Sequence, residues 1–429
     1  MIARNLSIGD GSTLYPTIDY GGESEGIMAS EFPVFQKILS YGYRFFGHNH
    51  WLGRLLNLLM SVGGVYAFYL IIETYFNKRH AFFSAIGLLF SLWFIYSRKA
   101  MPDTFSVSLV LMAFYLYSRW LQNGKWSSVL LATLLLSLGV LSKIPAVLAI
   151  VPLPLLLIRK TTSMRQTVVL FVSGTVAMIP VYWWYFRWVP HLVALDNNPL
   201  FFPRTLSNGW KEIGAYPIEM IQQFTFHAFF SYLGFVLFCG GLVWAVHRKR
   251  YSVLLTILAS SLVMFFFILK TGLVFPLHSY YMVPFAPVMA LVLGYFLSET
   301  KARWAFFLLV VFCVESIANQ HDDYRISDKM EVYLDLESEA NRVSDRTNKI
   351  VCNGGPNPQM MYFINRKGWS LKNEEITLDT LHKLRRLGCQ YYFQVGVNGV
   401  DQLPEFPFQK VIEKPHLRVY NLDLKSNTP

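Results

Sequence analysis

Cationic side chains recur where apolar segments of this sequence begin, end or break. Arg98 and Lys99 share one short turn, Lys143 interrupts a long apolar run, and Arg54 and His278 stand beside two others. Taken singly, each could as well be a snorkelling anchor or a local ion pair as a site residue, although Lys143 stands next to a helix break in a segment with no other charge. Ionisable groups near membrane depth, however, usually face a cavity rather than lipid. Together these residues favour a site for an anionic group such as a phosphate.

Acidic side chains precede the first long apolar segment. Glu23 and Glu25 are interpreted as solvated loop acids, whereas Asp19 and Glu31 are candidates for chemistry. Glu31 stands just before an amphipathic stretch, 33–46, that predicts a helix lying along a membrane surface. A carboxylate facing cations suits a transfer reaction, because the carboxylate can take a proton from an acceptor hydroxyl. The cations can then stabilise the charge that grows on a departing phosphate.

The elements that must hold these side chains are membrane-spanning helices. The chain is 53% hydrophobic and only 15% charged, whereas a soluble domain carries about 25% charged residues. Eight apolar runs are close to the length that crosses about 30 Å of hydrocarbon, namely 55–76, 81–97, 104–121, 166–186, 228–246, 252–269, 280–297 and 304–319. The run 127–158 is predicted to form two short spans around Lys143. The sequence thus predicts an all-α polytopic membrane protein with about ten transmembrane helices.

The net charge of +11 is interpreted as a topology signal. Lys and Arg concentrate in short loops that all fall on one side when the spans are counted, at 78–79, 119–125, 159–165, 248–250 and 301–303. By the positive-inside rule that side is the cytoplasm, so nucleic acid is excluded as a partner. The extracytoplasmic regions are then 1–54, 97–103, the break near Lys143, 187–227, 270–279 and the tail after 320. The polar segment 1–10 does not resemble a cleavable signal peptide. Either the first span inserts with its N-terminus outward or a further span lies upstream of Met1, and we expect the second.

The tail 321–429 predicts a small extracytoplasmic α/β domain, with helices over 330–345 and 374–388 and three short strands. The chain is therefore divided into a first loop, 1–54, a transmembrane domain, 55–320, and this tail. The tail segment Asn353-Gly354-Gly355-Pro356 is interpreted as a strand-to-helix turn, with a phosphate loop as the weaker alternative. For Cys352 and Cys389 two free thiols are favoured over a disulfide. No Cys or His spacing typical of zinc appears, and dependence on a divalent metal is left open.

Several short segments resemble a known enzyme family in their order and spacing over roughly residues 3–320. They are Ala3-Arg4-Asn5, Tyr15-Pro16 with Asp19, Glu31-Phe32-Pro33, Phe46-Gly47 with Gly53-Arg54-Leu55, Ser97-Arg98-Lys99-Ala100-Met101-Pro102-Asp103, Leu141-Ser142-Lys143-Ile144-Pro145, and His278-Ser279-Tyr280-Tyr281 with Pro284. The resemblance is to the GT-C superfamily of glycosyltransferases, and within it to glycosyltransferase family 39. That family includes the dolichyl-phosphate-mannose-protein mannosyltransferases and the bacterial aminoarabinose transferases of lipid A.

The resemblance implies an inverting transfer of a sugar from a polyprenyl-phosphate-linked donor to a lipid, glycan or protein acceptor. It implies an extracytoplasmic site in the plasma or inner membrane, with Asp19 or Glu31 as the base. Asp19 is favoured as the base and Glu31 as its support. Donor-phosphate contacts are implied for Arg54, Arg98, Lys143 and His278, and the further cavity candidates are Asp103, Tyr280 and Tyr281. Family members carry a span before the first loop that is not present in this sequence, together with acids just after it.

Two other classes of protein remain as alternatives. A lipid or saccharide transporter predicts paired broken helices at the bilayer midplane and two related halves, whereas one break and no repeat are visible here. A non-catalytic membrane assembly protein predicts that Asp19 and Glu31 are dispensable.

The side on which each loop lies can be tested directly. The loops at 78–79, 159–165 and 248–250 are predicted to be cytoplasmic and the tail after 320 extracytoplasmic, because Lys and Arg are retained inside. Reporter fusions at Lys160 and at Lys425 should therefore give opposite signals. The same signal from both fusions would contradict the predicted span count and the placement of the site.

Overall fold

The computed structural model describes residues 1–150, 163–196, 204–326, 328–396 and 398–425. They form two compact units. The helical unit comprises Ser30–Val189 and Phe201–Asp323, and the α/β unit comprises Met1–Ala29, Pro190–Leu200 and Tyr324–Pro429. The predicted division at 54 and 320 differs from these limits at its first boundary, since the first loop is divided between the units at Ala29. The functional division of the chain stays a prediction.

The helical unit is built almost entirely from apolar helices. Its principal α-helices are Val34–Phe46, His50–Tyr75, Lys78–Leu89, Leu92–Ser97, Pro102–Asn123, Trp126–Ser142, Met164–Trp183, Leu206–Gly214, Pro217–Gln222, Tyr232–His247, Tyr251–Thr271, Ala286–Glu299 and Ala302–Asn319. A 3-10 helix, Ile144–Ile150, follows the predicted break at Lys143. The rest of the run 127–158 and the loop residues 159–162 lie outside the described residues, as do 197–203 of the predicted loop 187–227.

The described residues confirm a polytopic helical protein with fewer full-length spans than predicted. Five helices are long and apolar enough to cross a membrane, or six if the pair Pro217–His227 and Tyr232–His247, bent by 84°, counts as one span. Trp126–Ser142 and Ala286–Glu299 are apolar but shorter. The predicted span 81–97 is two helices. The first ends at Leu89, and Ser91 caps the second, where its side chain accepts a hydrogen bond from Trp93 N.

Two helices occupy the centre of the helical unit. Pro102–Asn123 packs against His50–Tyr75 and Trp126–Ser142, and Ala286–Glu299 packs against Lys78–Leu89 and Tyr232–His247. Both central helices bury most of their side chains. Met164–Trp183, Tyr251–Thr271 and Ala302–Asn319 instead expose many large apolar side chains, as lipid-facing helices do.

One glycine allows the helices around the predicted site to approach closely. A Cβ added at Gly139 would lie 2.9 Å from the carbonyl oxygen of Ser106 on the neighbouring helix. The small side chain therefore brings the end of Trp126–Ser142 against the start of Pro102–Asn123, which is the region that carries Lys143 and Asp103.

The predicted amphipathic helix is present as Val34–Phe46. It buries Val34, Phe35 and Leu39 and exposes Phe45 and Phe46. One side therefore packs within the helical unit while the other presents aromatic surface. Its placement along a membrane surface stays a prediction.

The α/β unit contains a five-stranded mixed sheet in the order β2-β1-β3-β5-β4. The strands are β1 (Lys349–Cys352), β2 (Gly368–Ser370), β3 (Cys389–Val395), β4 (Phe408–Lys414) and β5 (Leu417–Lys425). β1 is parallel to both β2 and β3, whereas β5 is antiparallel to both β3 and β4. The small α/β domain is thus confirmed, with β2 and β4 added to the three predicted strands.

Alternating side chains give this sheet two buried faces. One face packs against Leu336–Val343 and Gln359–Ile364, and the other packs against Leu378–Arg386. The predicted helices over 330–345 and 374–388 correspond to the first and last of these in shortened form. Cys352 and Cys389 are buried free thiols, as favoured from the sequence.

The N-terminal segment of the chain belongs to the α/β unit and adds to its edge. The Gly368 amide donates to the carbonyl of Asp19 at 2.8 Å, and the Gly22 amide donates to the carbonyl of Gly368 at the same distance. Gly368 has φ +148°, and a Cβ there would lie 1.8 Å from the carbonyl oxygen of Ile350. The segment thus covers the backbone of edge strand β2, which would otherwise be open to pairing with another chain.

A buried ion pair fixes this segment from inside. The guanidinium of Arg4 pairs with Asp19 Oδ2 and also donates to the carbonyl of Tyr362 at 3.1 Å. Asn5 Nδ2 donates to Asp19 Oδ1 at 2.9 Å. Only 3% and 5% of the two ion-pair side chains are exposed. Both carboxylate oxygens of Asp19 are therefore engaged within the α/β unit.

We predict that Asp19→Asn lowers stability, because it leaves the Arg4 charge buried without its counter-ion. Removing one partner of a buried pair costs about 3–5 kcal/mol. Asp10→Asn is the matched control, since Asp10 pairs with Lys367 at a partly exposed position, where an ion pair contributes about 0–1 kcal/mol. Thermal melting of the full-length protein in detergent measures both, and equal shifts would contradict a structural role for the buried pair.

Candidate active site

Three of the predicted residues form one charged cluster in the helical unit. Lys143 Nζ lies 3.1 Å from Glu31 Oε1 and 3.6 Å from Asp103 Oδ1. The side chains of Lys143, Glu31 and Asp103 are 15%, 30% and 4% exposed. Asp103 is thus the buried acid of the cluster, and Glu31 is the acid that solvent or a ligand can reach. Lys143 lies between them.

Helix ends place two members of this cluster. Asp103 follows Pro102 at the start of Pro102–Asn123, where a proline is pre-organised and an acid is favoured by the helix dipole. Lys143 follows the last residue of Trp126–Ser142 with extended backbone angles, φ −160° and ψ 112°. The break that the sequence predicts at this lysine is therefore what turns its side chain away from the helix.

The backbone on both sides of Glu31 is held by later parts of the chain. Trp184 Nε1 donates to the carbonyl of Ser30 at 3.0 Å, and the amide of Phe32 donates to the carbonyl of Leu141 at 3.1 Å. The hydroxyl of Tyr185 donates to that same Leu141 carbonyl at 3.1 Å. Glu31 is therefore fixed next to Lys143 by main-chain contacts as well as by charge.

Aromatic rings line another side of the lysine. Lys143 Nζ lies 5.2 Å from the centroid of the Tyr280 ring, within cation–π range. Tyr280 contacts the rings of Tyr281 and His278 at 4.6 and 5.1 Å between centroids. Although His278 stays solvent-accessible, partial burial of its ring and the charge of Lys143 lower its pKa below the usual value. Both effects favour the neutral form of the His278 imidazole.

The turn that carries Arg98 and Lys99 is held by a second network. Lys99 Nζ pairs with Asp323 Oδ1 at 2.8 Å, and Arg98 donates to the Asp323 carbonyl at 3.2 Å. Asn57, which is fully buried, donates to the carbonyls of Tyr96 and Lys99 at 2.7 and 2.8 Å. Asn57 thus fastens the turn to the first long helix of the unit.

Three predicted residues stand apart from the charged cluster, namely Arg98 in the turn just described, Arg54 and Asp19. Arg54 is exposed and makes no hydrogen bond or ion pair with any described residue. Asp19 belongs to the α/β unit, where Arg4 and Asn5 take both of its oxygens. The cluster thus unites Glu31, Lys143 and Asp103 with the aromatic residues of 278–281, and it does not include Asp19.

The sequence interpretation missed Asn57 and Asp323, and it quoted Arg4 within a resembling segment without its pairing to Asp19. An asparagine inside an otherwise apolar span is a recognisable signal, since polar groups at membrane depth are costly and usually engaged. Asp323, the partner of Lys99, and Arg4, the partner of Asp19, give no such signal, because neither pairing follows from spacing along the chain.

This arrangement supports proton transfer next to a bound anion. Lys143 forms ion pairs with two carboxylates, and an ammonium has three N–H donors, of which two face these acids. The third remains for an oxygen of a ligand. Asp103 Oδ2 is buried and has no hydrogen-bond partner among the described residues. Within the same residues no group of three or more His, Cys, Asp or Glu side chains is arranged to hold a metal ion.

Comparison with known proteins identifies relatives of this fold. Residues 30–186 match the model of the dolichyl-phosphate-mannose-protein mannosyltransferase family. A comparison with curated protein sequences found no significant match.

Solved structures match almost the whole chain at low identity. ArnT from Cupriavidus metallidurans in the apo state is 12% identical, with a TM-score of 0.66 over 98% of this chain and 92% of ArnT. The same protein bound to undecaprenyl phosphate gives 11% and 0.59 over the same shares. The archaeal oligosaccharyltransferase AglB from Archaeoglobus fulgidus, in complex with an inhibitory peptide and a dolichol-phosphate, gives 11% and 0.58 over 92% of this chain and 64% of AglB.

The resemblance inferred from short segments is thus confirmed, and so is the fold class. The chain has the fold of the GT-C glycosyltransferases, and its residues 30–186 match the dolichyl-phosphate-mannose-protein mannosyltransferase family.

Proposed function

We propose that this protein is an inverting glycosyltransferase that moves a sugar from a polyprenyl-phosphate-linked donor to an acceptor hydroxyl. The proposal includes an extracytoplasmic site in the plasma or inner membrane and a lipid, glycan or protein acceptor. The observation that carries it is the Lys143 ammonium held between Glu31 and Asp103 beside Tyr280. A cation with one open face, next to a reachable carboxylate, suits the departure of a phosphate coupled to the removal of a proton.

In this reaction Glu31 takes the proton of the acceptor hydroxyl as its oxygen attacks the anomeric carbon of the sugar. The bond between that carbon and the phosphate oxygen breaks, and its electron pair leaves with the polyprenyl phosphate. Attack from the face opposite the phosphate inverts the configuration. The proton stays on Glu31 until solvent or product removes it.

Glu31 is proposed as the base in place of Asp19, which the sequence interpretation favoured. A base must reach the acceptor hydroxyl. Glu31 is 30% exposed with one oxygen engaged by Lys143, whereas both oxygens of Asp19 are engaged by buried partners. The accessibility of Glu31 therefore supports it as the base.

Lys143 is proposed to contact the donor phosphate while it stays paired with Glu31. The ammonium holds Glu31 at 3.1 Å, and a charge-assisted bond to a phosphate oxygen adds about 2.8 Å. Because the N–H donors of an ammonium diverge at about 109°, the lysine can bridge two oxygens about 5 Å apart. His278, whose ring contacts that of Tyr280, is proposed as a further contact for the phosphate. Arg54 and Arg98, which stand apart from the charged cluster, stay as proposed contacts from the sequence alone.

We predict that Glu31→Gln, which is nearly isosteric, lowers kcat about 10²–10⁴-fold, because general-base catalysis is lost. Single-turnover release of undecaprenyl phosphate, followed by mass spectrometry with a panel of undecaprenyl-phosphate sugars and an envelope lipid extract as acceptor, measures the step. Glu23→Gln, an exposed acid of the same loop, is the control and should be as active as the unchanged protein. A fully active Glu31→Gln protein would remove Glu31 from the role of base.

We predict that Lys143→Ala lowers kcat/KM for the donor by about 10–100-fold, since a lost charge-assisted hydrogen bond costs about 1.5–3 kcal/mol. Lys143→Arg should restore only part of this, because a planar guanidinium cannot replace a point charge between two carboxylates. Lys125→Ala, at an exposed position beyond the other end of the same helix, is the matched control. Transfer by Lys143→Ala at the unchanged rate would reduce the lysine to a structural ion pair.

A further inference from the structure

A pocket outside the charged cluster lies in the α/β unit. It has a volume of about 290 Å³ and opens where β1 and β3 end. Asn353 and Gly354 follow β1, and Gly396 and Asn398 follow β3. Asn353 and Gly354 belong to the segment Asn353-Gly354-Gly355-Pro356, for which the sequence left a phosphate loop as the weaker alternative.

The pocket lies at a position where ligands commonly bind in open α/β sheets. β1 is parallel to β2 on one side and to β3 on the other. The chain therefore leaves β1 in one direction to form β2 and returns across it to form β3, so that the connections diverge at the carboxyl ends of β1 and β3. Ligands of such sheets bind in the crevice outside the carboxyl ends of the strands at this kind of switch point.

The side chains around the pocket are polar but carry no ionic charge at neutral pH. Five of them are amides, namely Asn353, Asn357, Asn373, Asn398 and Gln402. The remaining described residues of its wall are glycines, apolar residues and Tyr333. A wall of this kind offers both donors and acceptors and selects a neutral ligand with many hydrogen-bonding groups.

The main chain around the pocket argues against a phosphate. Backbone amides cradle phosphates only when their N–H groups are free, and two of those that line this pocket already donate to carbonyls. Gly396 donates to His416 at 3.1 Å and Gly399 to Gly396 at 2.9 Å, and Gly355, next in the chain to the lining residue Gly354, donates to Leu371 at 2.8 Å. Side-chain amides are thus the principal hydrogen-bonding groups left to a ligand.

Two of these amides are open to a ligand. Asn353 is committed, because its side chain bonds both the amide and the carbonyl of Val395 at 2.8 and 2.9 Å. Asn398 and Gln402 are exposed, and neither makes a side-chain hydrogen bond with a described residue. Met360 and Leu403 supply apolar surface on the same wall. An apolar wall beside amides matches a sugar ring, which has an apolar face and a rim of hydroxyl groups.

We propose that this pocket binds a neutral saccharide, the glycan of the acceptor in the transfer reaction. The identification of that saccharide with the acceptor rests on the proposed function, whereas the preference for a neutral ligand rests on the pocket itself. The α/β unit would then select acceptors by their sugar, independently of the lipid phosphate of the donor.

Saturation-transfer NMR on the full chain in nanodiscs, without sugar-based detergent, tests the proposal. The probes are the methyl glycosides of glucose, mannose, galactose and N-acetylglucosamine, with inorganic phosphate as the anionic competitor. At least one glycoside should bind without being displaced by phosphate. The double variant Asn398→Ala/Gln402→Ala should weaken its Kd at least tenfold. Gln409→Ala, an exposed amide on β4, is the control and should bind as the unchanged protein does.

Binding of no glycoside, displacement by phosphate, or equal binding by the double variant would each overturn the proposal. Equal melting temperatures of the variants show that any loss is local. Lys143→Ala protein separates the two hypotheses, because it should still bind the glycoside while transfer falls. Transfer that proceeds normally in a protein that binds no glycoside refutes this inference alone. Glycoside binding by a protein that transfers no sugar from any polyprenyl phosphate refutes the proposed function alone.

Discussion

The Lys143 ammonium holds together the parts of the helical unit that form the proposed site. It draws Glu31 from the loop before the first long helix and Asp103 from the start of another, while it stands itself at the end of a third. Charges so little exposed are expensive to remove from water unless each is matched. These charges can be paired only if all three elements come together. The close packing of Gly139 against Ser106 and the hydrogen bonds to the Leu141 carbonyl hold the helix ends in the position that this pairing needs.

The α/β unit also contains buried charges, and there Arg4 is paired with Asp19. There the pair is buried and fully hydrogen-bonded, and it fastens the N-terminal segment along edge strand β2. The two acids that the sequence presented as alternatives thus have different surroundings. One is enclosed and serves folding, whereas the other keeps an accessible oxygen and is suited to chemistry.

Much of the fold followed from the sequence because hydrophobic periodicity and charge placement are local signals. The long apolar runs, the helix at 33–46, the break at Lys143 and three strands of the sheet were all visible in this way. β2 and β4 were not, since one is three residues long and the other mixes Gln, Lys and Glu with its apolar residues. The site was predicted as a set of candidates without its pairings. That Lys143 would meet Glu31 and Asp103, or Arg4 meet Asp19, depends on tertiary contacts that no spacing encodes.

The anchoring of Ser30 by Trp184 has a consequence for how the protein is made. The two residues are 154 positions apart in the chain, and proteins emerge from the ribosome N-terminus first. The segment around Glu31 is therefore synthesised long before the tryptophan that fixes it, and before Leu141, to which Phe32 is bonded. During biogenesis the loop therefore lacks these hydrogen bonds until the later helices that carry Leu141 and Trp184 have been inserted. The charged cluster is consequently a late product of assembly, and an insertion error as far along the chain as Trp184 would leave the first loop without its anchor.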